Sequence, residues 1–161
     1  MKYGVAALGG GRIVGAHASP ANELPELDLV GIAELNKDRH PDLKERFECD
    51  VFDSIEEILN RKDVHCAAIC LPHHLHLPVS LQAIAAGKHL LIEKPMALNV
   101  DECDQIIDAA SRAGVKVTVG HHHSYSSSII EARRRIEAGE IGHLVMGAET
   151  WIKPFHIGER P

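Results

Sequence analysis

The sequence predicts an α/β protein, a doubly wound parallel sheet followed by the beginning of a second, α+β domain. Three observations carry this. Short apolar runs alternate with helical segments at a regular pitch, as right-handed βαβ units require. Apolar residues make up 45% of the 161-residue chain but aromatics only 4%, so the core is built from Val, Ile, Leu and Ala, which suits strands buried between helices. The alternation holds to Gly120 and then changes, giving expected domains of 1–120 and 121–161.

The elements follow in order. Val5–Leu8 reads as a buried strand, and Gly9–Gly11 as the turn into a short helix from about Arg12 to Ser19, which Pro20 should end. Leu29–Ala33 is the second strand, with a helix from about Pro41, a residue tolerated in a first turn. Ser54-Ile-Glu-Glu57 has capping-box spacing and opens a helix of one or two turns. Cys66–Leu71 is the third strand, Pro78 to Gly87 a helix with its stop, and His89–Ile92 the fourth strand. From Asn99 a longer helix sets Val100, Cys103, Ile106, Ile107 and Ala110 at helical spacing, with Gly114 beyond its end. Lys116–Val119 is the fifth core strand. After Gly120, Ser126–Ala138 reads as an amphipathic helix with Ile129, Ala132, Arg133 and Ile136 on one face. Leu144–Ile152 is then extended, and as one strand of a sheet without its other members it should pair with another copy, disorder or aggregate.

Charge and cysteine usage remove several classes. Seventeen Lys and Arg against 23 Asp and Glu give a formal charge of −6; nucleic acid and anionic membranes are both negative, so neither is an expected partner. No apolar run approaches the ~20 residues that span a bilayer. The apolar part of the N-terminal stretch, Val5–Leu8, is broken by three glycines and Arg12, which is too short for a secretory signal. Cys49, Cys66, Cys70 and Cys103 have no paired CxxC spacing, and Cys66 and Cys70 sit in an apolar run where a free thiol acts as a small hydrophobe. The cytoplasm is the expected compartment.

Chemistry-bearing residues fall at the strand ends. In a dinucleotide turn one glycine makes the bend and a second lets backbone amides approach the pyrophosphate, which the helix N-terminus then holds. Gly9 and Gly11 fit those roles, with Arg12 and Ile13 completing the loop; the third glycine position holds Val14, and Gly15 comes one residue late. Glu34, twenty-five residues after Gly9 at the end of the second strand, can accept from ribose hydroxyls and would repel a 2′-phosphate. Glu93-Lys94-Pro95 ends the fourth strand, where ligands of open α/β sheets bind, and Lys94 could hydrogen-bond a substrate hydroxyl and assist proton transfer. A structural turn, a surface carboxylate and a solvated lysine are the plain alternatives for these three. The histidine groups His73-His74-Leu-His76 and His121-His122-His123 lack HExxH spacing and matched Cys or carboxylate partners, and neighbours along a strand face opposite ways, so no metal site is expected. Arg133-Arg134-Arg135 reads as the solvated face of its helix.

Together these residues resemble the Gfo/Idh/MocA family, the glucose-fructose oxidoreductase and inositol dehydrogenase group. The matching pieces are Gly9-x-Gly11-Arg12-Ile13-x-x-x-His17, Pro72-x-x-x-His76, Ala86-Gly87-Lys88-His89, Glu93-Lys94-Pro95, Gly120-His121-His122 and Gly139-Glu140-Ile141-Gly142. They cover nearly the whole chain, and the stretch from Ala86 to Pro95 is the most specific. The resemblance implies a Rossmann-like cofactor domain and hydride transfer between NAD(P) and a hydroxyl or carbonyl of a sugar, polyol or related cyclic compound, with NAD favoured over NADP. It implies Lys94 as the catalytic lysine near the reacting oxygen. Gly9, Gly11, Arg12, Ile13, Glu34, Pro72, His73, His76, Glu93, Lys94, Pro95 and His121 would line the cofactor site. The chain departs from the pattern at His73, where the family usually has Asn, and at His123 and Ser124, in a region where an arginine is common.

Family members usually run to more than twice this length. Their second domain forms the substrate site and oligomer interface and supplies an Asp/His pair that works with the lysine. A homo-oligomer is thus implied, and the chain is expected to be a fragment or truncated product of a longer parent. The leading reading is the cofactor-binding part of such an oxidoreductase. The competing readings are a non-catalytic NAD-binding or regulatory module, and an S-adenosylmethionine methyltransferase, against which the Glu-Lys-Pro stretch counts.

Overall fold

The computed structural model describes residues 2–148 and 150. The chain divides into two compact units, Met1–His121 and His122–Pro161.

The first unit is built on a sheet of six parallel strands: β1 Tyr3–Leu8, β2 Leu27–Ala33, β3 Asp50–Phe52, β4 Cys66–Ile69, β5 His89–Ile92 and β6 Val117–Val119. Their order is β3-β2-β1-β4-β5-β6, so the winding reverses between β1 and β4. Helices α1 Gly15–Glu23 and α2 His40–Phe47 connect the strands on one side of that reversal. On the other side lie α4 His76–Ala85 and α5 Val100–Ala113, while α3 Ile55–Leu59 bridges β3 and β4.

Strand alternation sends side chains to two cores. Ala6, Leu8, Ala67 and Ile69 pack with Ile58, Leu59, Ile84 and Ile106 of α3, α4 and α5. Val5 and Ala7 pack with Val14, Ala18, Leu43 and Phe47 around α1 and α2. A bulge in the β1–β2 register, where Val5 pairs Leu29 but Ala6 pairs Gly31, resets the parity of β2. Leu29 and Ile32 therefore both reach the second core. Each fully buried Leu or Ile contributes roughly 1.5–3 kcal/mol.

Several expectations need correction. Among the described residues the sheet has six strands rather than the five expected: β3 is a three-residue edge strand that opens on the charged Asp50, too short and too mixed to show an apolar run. The first helix begins at Gly15, not Arg12, and continues through Pro20. Its first turn is tight, with Ala16 N–H on the Ile13 carbonyl at 2.9 Å and His17 N–H on that of Val14 at 3.0 Å. Pro20 and Ala16, whose carbonyl the proline cannot serve, are both exposed, so water can satisfy the group. Helix α4 starts at His76 rather than Pro78, and β6 at Val117. In α5, Ile106 and Ala110 are buried but Val100 and Ile107 are exposed, because adjacent residues stand about 100° apart and only one of Ile106 and Ile107 can face the sheet.

The Ala86–His89 stretch has a structural explanation. Gly87, at φ 72°, ends α4, and the buried Lys88 ammonium donates to the carbonyls of Arg61 at 2.8 Å and Val64 at 2.9 Å, fastening the loop that enters β4. The His89 ring then accepts the Lys116 N–H at 3.0 Å, joining β5 to the start of β6. The four cysteines are free; burial pushes the Cys70 thiol up to about 12 and that of Cys49 to about 11, so both stay protonated and unreactive.

Among the described residues, one buried side-chain polar atom is unsatisfied. Ser80 in α4 is fully buried and its Oγ has no hydrogen-bond partner. Ser80→Ala should therefore stabilise the domain by about 1 kcal/mol, seen as a higher midpoint in thermal or urea unfolding; a lower midpoint would show that the hydroxyl is paired in solution.

The second unit opens with a single helical turn over His122–Tyr125 and continues into α6, Ser127–Glu137. None of its residues is buried, so the face expected from Ile129, Ala132, Arg133 and Ile136 packs into no core among the described residues of this unit. Residues 144–148 have no regular secondary structure, and Leu144, Val145 and Met146 are exposed; the rest of the expected extended segment, apart from residue 150, lies outside the described residues. On α6, Glu131 accepts from Arg134 at 2.8 Å and Arg135 at 2.7 Å, and these guanidinium groups hold its carboxyl down at about 2. A depressed carboxyl stabilises the helix above the ordinary value of 4.5 and loses that contribution as pH falls toward 2. A carbon NMR titration should find this low midpoint, and Arg134→Ala should raise it; an ordinary midpoint in the unmodified chain would remove the pairing.

Candidate functional site

Because all six strands run in parallel, the segments following them lie along one rim, at the carboxyl ends. The winding reverses between β1 and β4, and the crevice outside such a reversal is the usual ligand position in doubly wound sheets. The residues singled out from sequence all fall there or in the first turn of the next helix. Gly9, Gly11, Arg12 and Ile13 follow β1, Glu34 follows β2, Pro72 and His73 follow β4, His76 opens α4, Glu93, Lys94 and Pro95 follow β5, and His121 follows β6.

The glycine loop is shaped by close approach. Gly9 has φ 102°, and a Cβ there would lie 2.7 Å from the Cys70 carbonyl oxygen and 2.9 Å from Leu71 Cδ2. Gly10, which the sequence reading left without a role, is equally constrained: a Cβ would come within 2.5 Å of Leu43 Cδ1 and 2.7 Å of Glu34 Oε2. Gly11 differs. The Cys70 oxygen, at 3.8 Å, is the single atom that its Cβ would meet, so the folded chain itself does not demand a glycine there. Gly15 is a packing glycine against α2, with Arg46 Nη2 at 3.0 Å from a Cβ, while Val14 takes the buried place on the sheet.

At one end of the crevice, Glu34 Oε2 accepts from Gly10 N–H at 3.1 Å and from Arg39 Nη1 at 3.0 Å. Its Oε1 accepts from Asn36 N–H at 2.9 Å. At the other end, Glu93 Oε1 lies 2.8 Å from His17 Nε2 in α1, and Oε2 accepts the Lys94 N–H at 3.2 Å. The His17 and Glu93 side chains are 12% and 13% exposed, so this link is sheltered and joins the helix after the glycine loop to the turn after β5. His76 is fully buried; its Nδ1 lies 2.8 Å from the Pro95 carbonyl oxygen and its Nε2 3.0 Å from that of Leu71. It ties the β4 and β5 loops together rather than offering a polar atom to the crevice. His73 is exposed, edge-on to His76 at 5.6 Å, and His121 is exposed. Lys94 and Pro95 are exposed, and among the described residues no side-chain or backbone acceptor engages the Lys94 ammonium.

Sequence reasoning missed Gly10, Asn36 and Arg39 and gave His17 no role. A cation five residues after the acid was the available signal for Arg39; the His17–Glu93 link spans 76 residues and had none. Among the described residues, no group of three His, Cys, Asp or Glu could hold a metal ion, and no helix is long and apolar enough to cross a membrane.

Sheet order, winding reversal and glycine loop define a doubly wound domain of the dinucleotide-binding class. Residues 3–121 match the sequence model of Gfo/Idh/MocA, described as an oxidoreductase family with an NAD-binding Rossmann fold. The chain belongs to that family. It is similar to 1-carboxy-3-chloro-3,4-dihydroxycyclohexa-1,5-diene dehydrogenase of Comamonas testosteroni, 37% identical over 58% of this chain and 24% of the relative. Glucose-6-phosphate 3-dehydrogenase of Bacillus subtilis is 27% identical over 86% of this chain and 39% of the relative. The crystal structure of an NAD-binding oxidoreductase from Klebsiella pneumoniae superposes with a TM-score of 0.82 at 28% identity, over 88% of this chain and 40% of that one. The chain thus spans well under half the length of each of these proteins.

Proposed function

We propose that this chain is the nicotinamide-dinucleotide-binding part of an oxidoreductase acting on a hydroxyl or carbonyl of a small sugar-like or cyclic polyol. The observation that carries this reading is the convergence of the glycine loop, Glu34 and the Glu93-Lys94-Pro95 turn on one crevice, braced by the Gly10–Glu34 and His17–Glu93 bonds. The open space at Gly11 adds to it, since a glycine that its own fold does not require suits close backbone approach by a ligand. The two dehydrogenase relatives, one for a cyclic diol and one for a sugar phosphate, support the substrate class.

In this reading the Gly11 amide and the N-terminus of α1 face the pyrophosphate, with Arg12 and Ile13 beside it. Glu34 faces the adenosine ribose and favours NAD over NADP. Pro72, His73 and His121 border the nicotinamide end, and Glu93, Pro95 and His76 hold the turn that carries Lys94. The cofactor, when bound, supplies the hydride chemistry. The chain binds and orients, and Lys94 Nζ moves the proton at the reacting oxygen. The four free cysteines support a reducing, cytoplasmic setting, and the exposed Leu144, Val145 and Met146 support association with further copies.

Calorimetry on the chain tests the proposal. NAD should bind saturably at one site and S-adenosylmethionine should not; binding of neither, or of S-adenosylmethionine alone, would overturn it.

A further inference from the structure

Lys94 has a carboxylate as its chain neighbour. Glu93 Oε2 accepts the Lys94 N–H at 3.2 Å, within the sweep of the lysine's own flexible stem. An ammonium and a carboxylate so placed would ordinarily pair. Here they do not: the Lys94 side chain is exposed, and among the described residues no acceptor engages its ammonium.

The carboxylate is held instead by α1. His17 Nε2 lies 2.8 Å from Glu93 Oε1, and since an ionised carboxylate only accepts, the ring donates. The ring stands in the first turn of the helix, where the His17 N–H is bound to the Val14 carbonyl at 3.0 Å. Gly120 closes another side, because a Cβ there would lie 3.3 Å from Glu93 Oε1 and 3.6 Å from its Cδ. The Cys70 thiol feels the Glu93 charge but is kept neutral, chiefly by its burial. Among the described residues no lysine or arginine pairs with Glu93.

The His17 and Glu93 side chains are only 12% and 13% exposed. A carboxylate so sheltered needs more than one backbone N–H to offset its lost water. Without the ring, the ammonium of the next residue is the group able to supply the rest, and Lys94 would lose its open tip.

We infer that His17 is a positioning residue for Lys94: it holds the Glu93 carboxylate on the backbone of the turn and off the lysine's ammonium. It acts through Glu93 and not on the reacting oxygen. The inference rests on the reading of Lys94 as the group that moves the proton, and adds what keeps that group available.

Titration of the lysine side chains by nitrogen NMR on the chain tests it, with Lys94 assigned by the signal lost in Lys94→Arg. His17→Leu should raise the proton affinity of Lys94 about two- to fivefold, the range of a partly exposed ion pair, while the other lysines keep theirs. His17→Gln, whose amide N–H can stand where Nε2 stood, should match the unmodified chain. In the double variant His17→Leu, Glu93→Gln the affinity should fall back to the unmodified value or below it, because the carboxylate is gone. His17→Asn, polar but too short to reach Glu93, repeats the test should leucine disturb the fold. An unmoved Lys94 in the folded variants, a rise that His17→Gln shows equally, or one that survives loss of the Glu93 charge would make His17 a brace of the fold and overturn the inference. These titrations need neither cofactor nor substrate, so failure of the unmodified chain to bind NAD would separately overturn the reading beneath it.

Discussion

Lys94→Ala is expected to lower turnover of the protein carrying this chain about 10²–10⁴-fold, the usual worth of one proton-transfer group, while NAD affinity stays within a few-fold. The reason lies in how the lysine is mounted. Its backbone is held on three sides, by Glu93 Oε2 on its own N–H, by His17 on Glu93, and by His76 on the carbonyl of Pro95. The side chain, in contrast, is exposed and its ammonium engages no acceptor among the described residues. A fixed base with an uncommitted tip is suited to meeting a substrate oxygen. Lys94→Arg should be nearly as slow, since a guanidinium keeps the charge but does not release its proton at working pH. Steady-state rates paired with cofactor titrations separate the two effects; a near-normal kcat in Lys94→Ala would remove the catalytic assignment.

Two glycines two residues apart in the same loop should fail in different ways. Gly9→Ala forces a side chain onto φ 102° and drives a Cβ to 2.7 Å from the Cys70 carbonyl oxygen. Backbone strain and overpacking together should cost roughly 2–4 kcal/mol, a large part of the 5–15 kcal/mol typical of a domain. Gly11→Ala meets its nearest atom at 3.8 Å and should leave the unfolding midpoint nearly unchanged, yet it places a methyl group where the pyrophosphate would approach. NAD affinity should then fall tenfold or more, about 1.4 kcal/mol. Urea unfolding and calorimetry on both variants resolve the contrast. Full NAD affinity in Gly11→Ala would mean that the loop does not carry the pyrophosphate.

The division between what could be read early and what could not follows from the range of the forces involved. Strands β1, β2, β4 and β5 announced themselves because a strand buried on both faces must be a continuous apolar run. The Ser54 and Asn99 caps were legible because a helix N-terminus is satisfied by the side chain next to it; Ser54 Oγ accepts from Glu56 and Glu57, and Asn99 Oδ1 from Glu102. Strand β3 was not legible, since an edge strand of three residues is held by pairing with Gly31–Ala33 rather than by its own pattern. The continuation of α1 through Pro20 was equally hidden, because it depends on which carbonyl faces water.

At the candidate site the same boundary applies. By itself the sequence determined the fold class, the glycine turn, the acid after the second strand and the Glu-Lys-Pro turn, because each is a local spacing at a strand end and parallel strands carry all such ends to one rim. Only the tertiary structure decided which of them are joined. His17 meets Glu93, His76 bridges Leu71 and Pro95, and Arg39 closes on Glu34 and Gly10. These contacts run between loops that only the sheet brings side by side, and a hydrogen bond, reaching about 3 Å, carries no periodic trace along the chain.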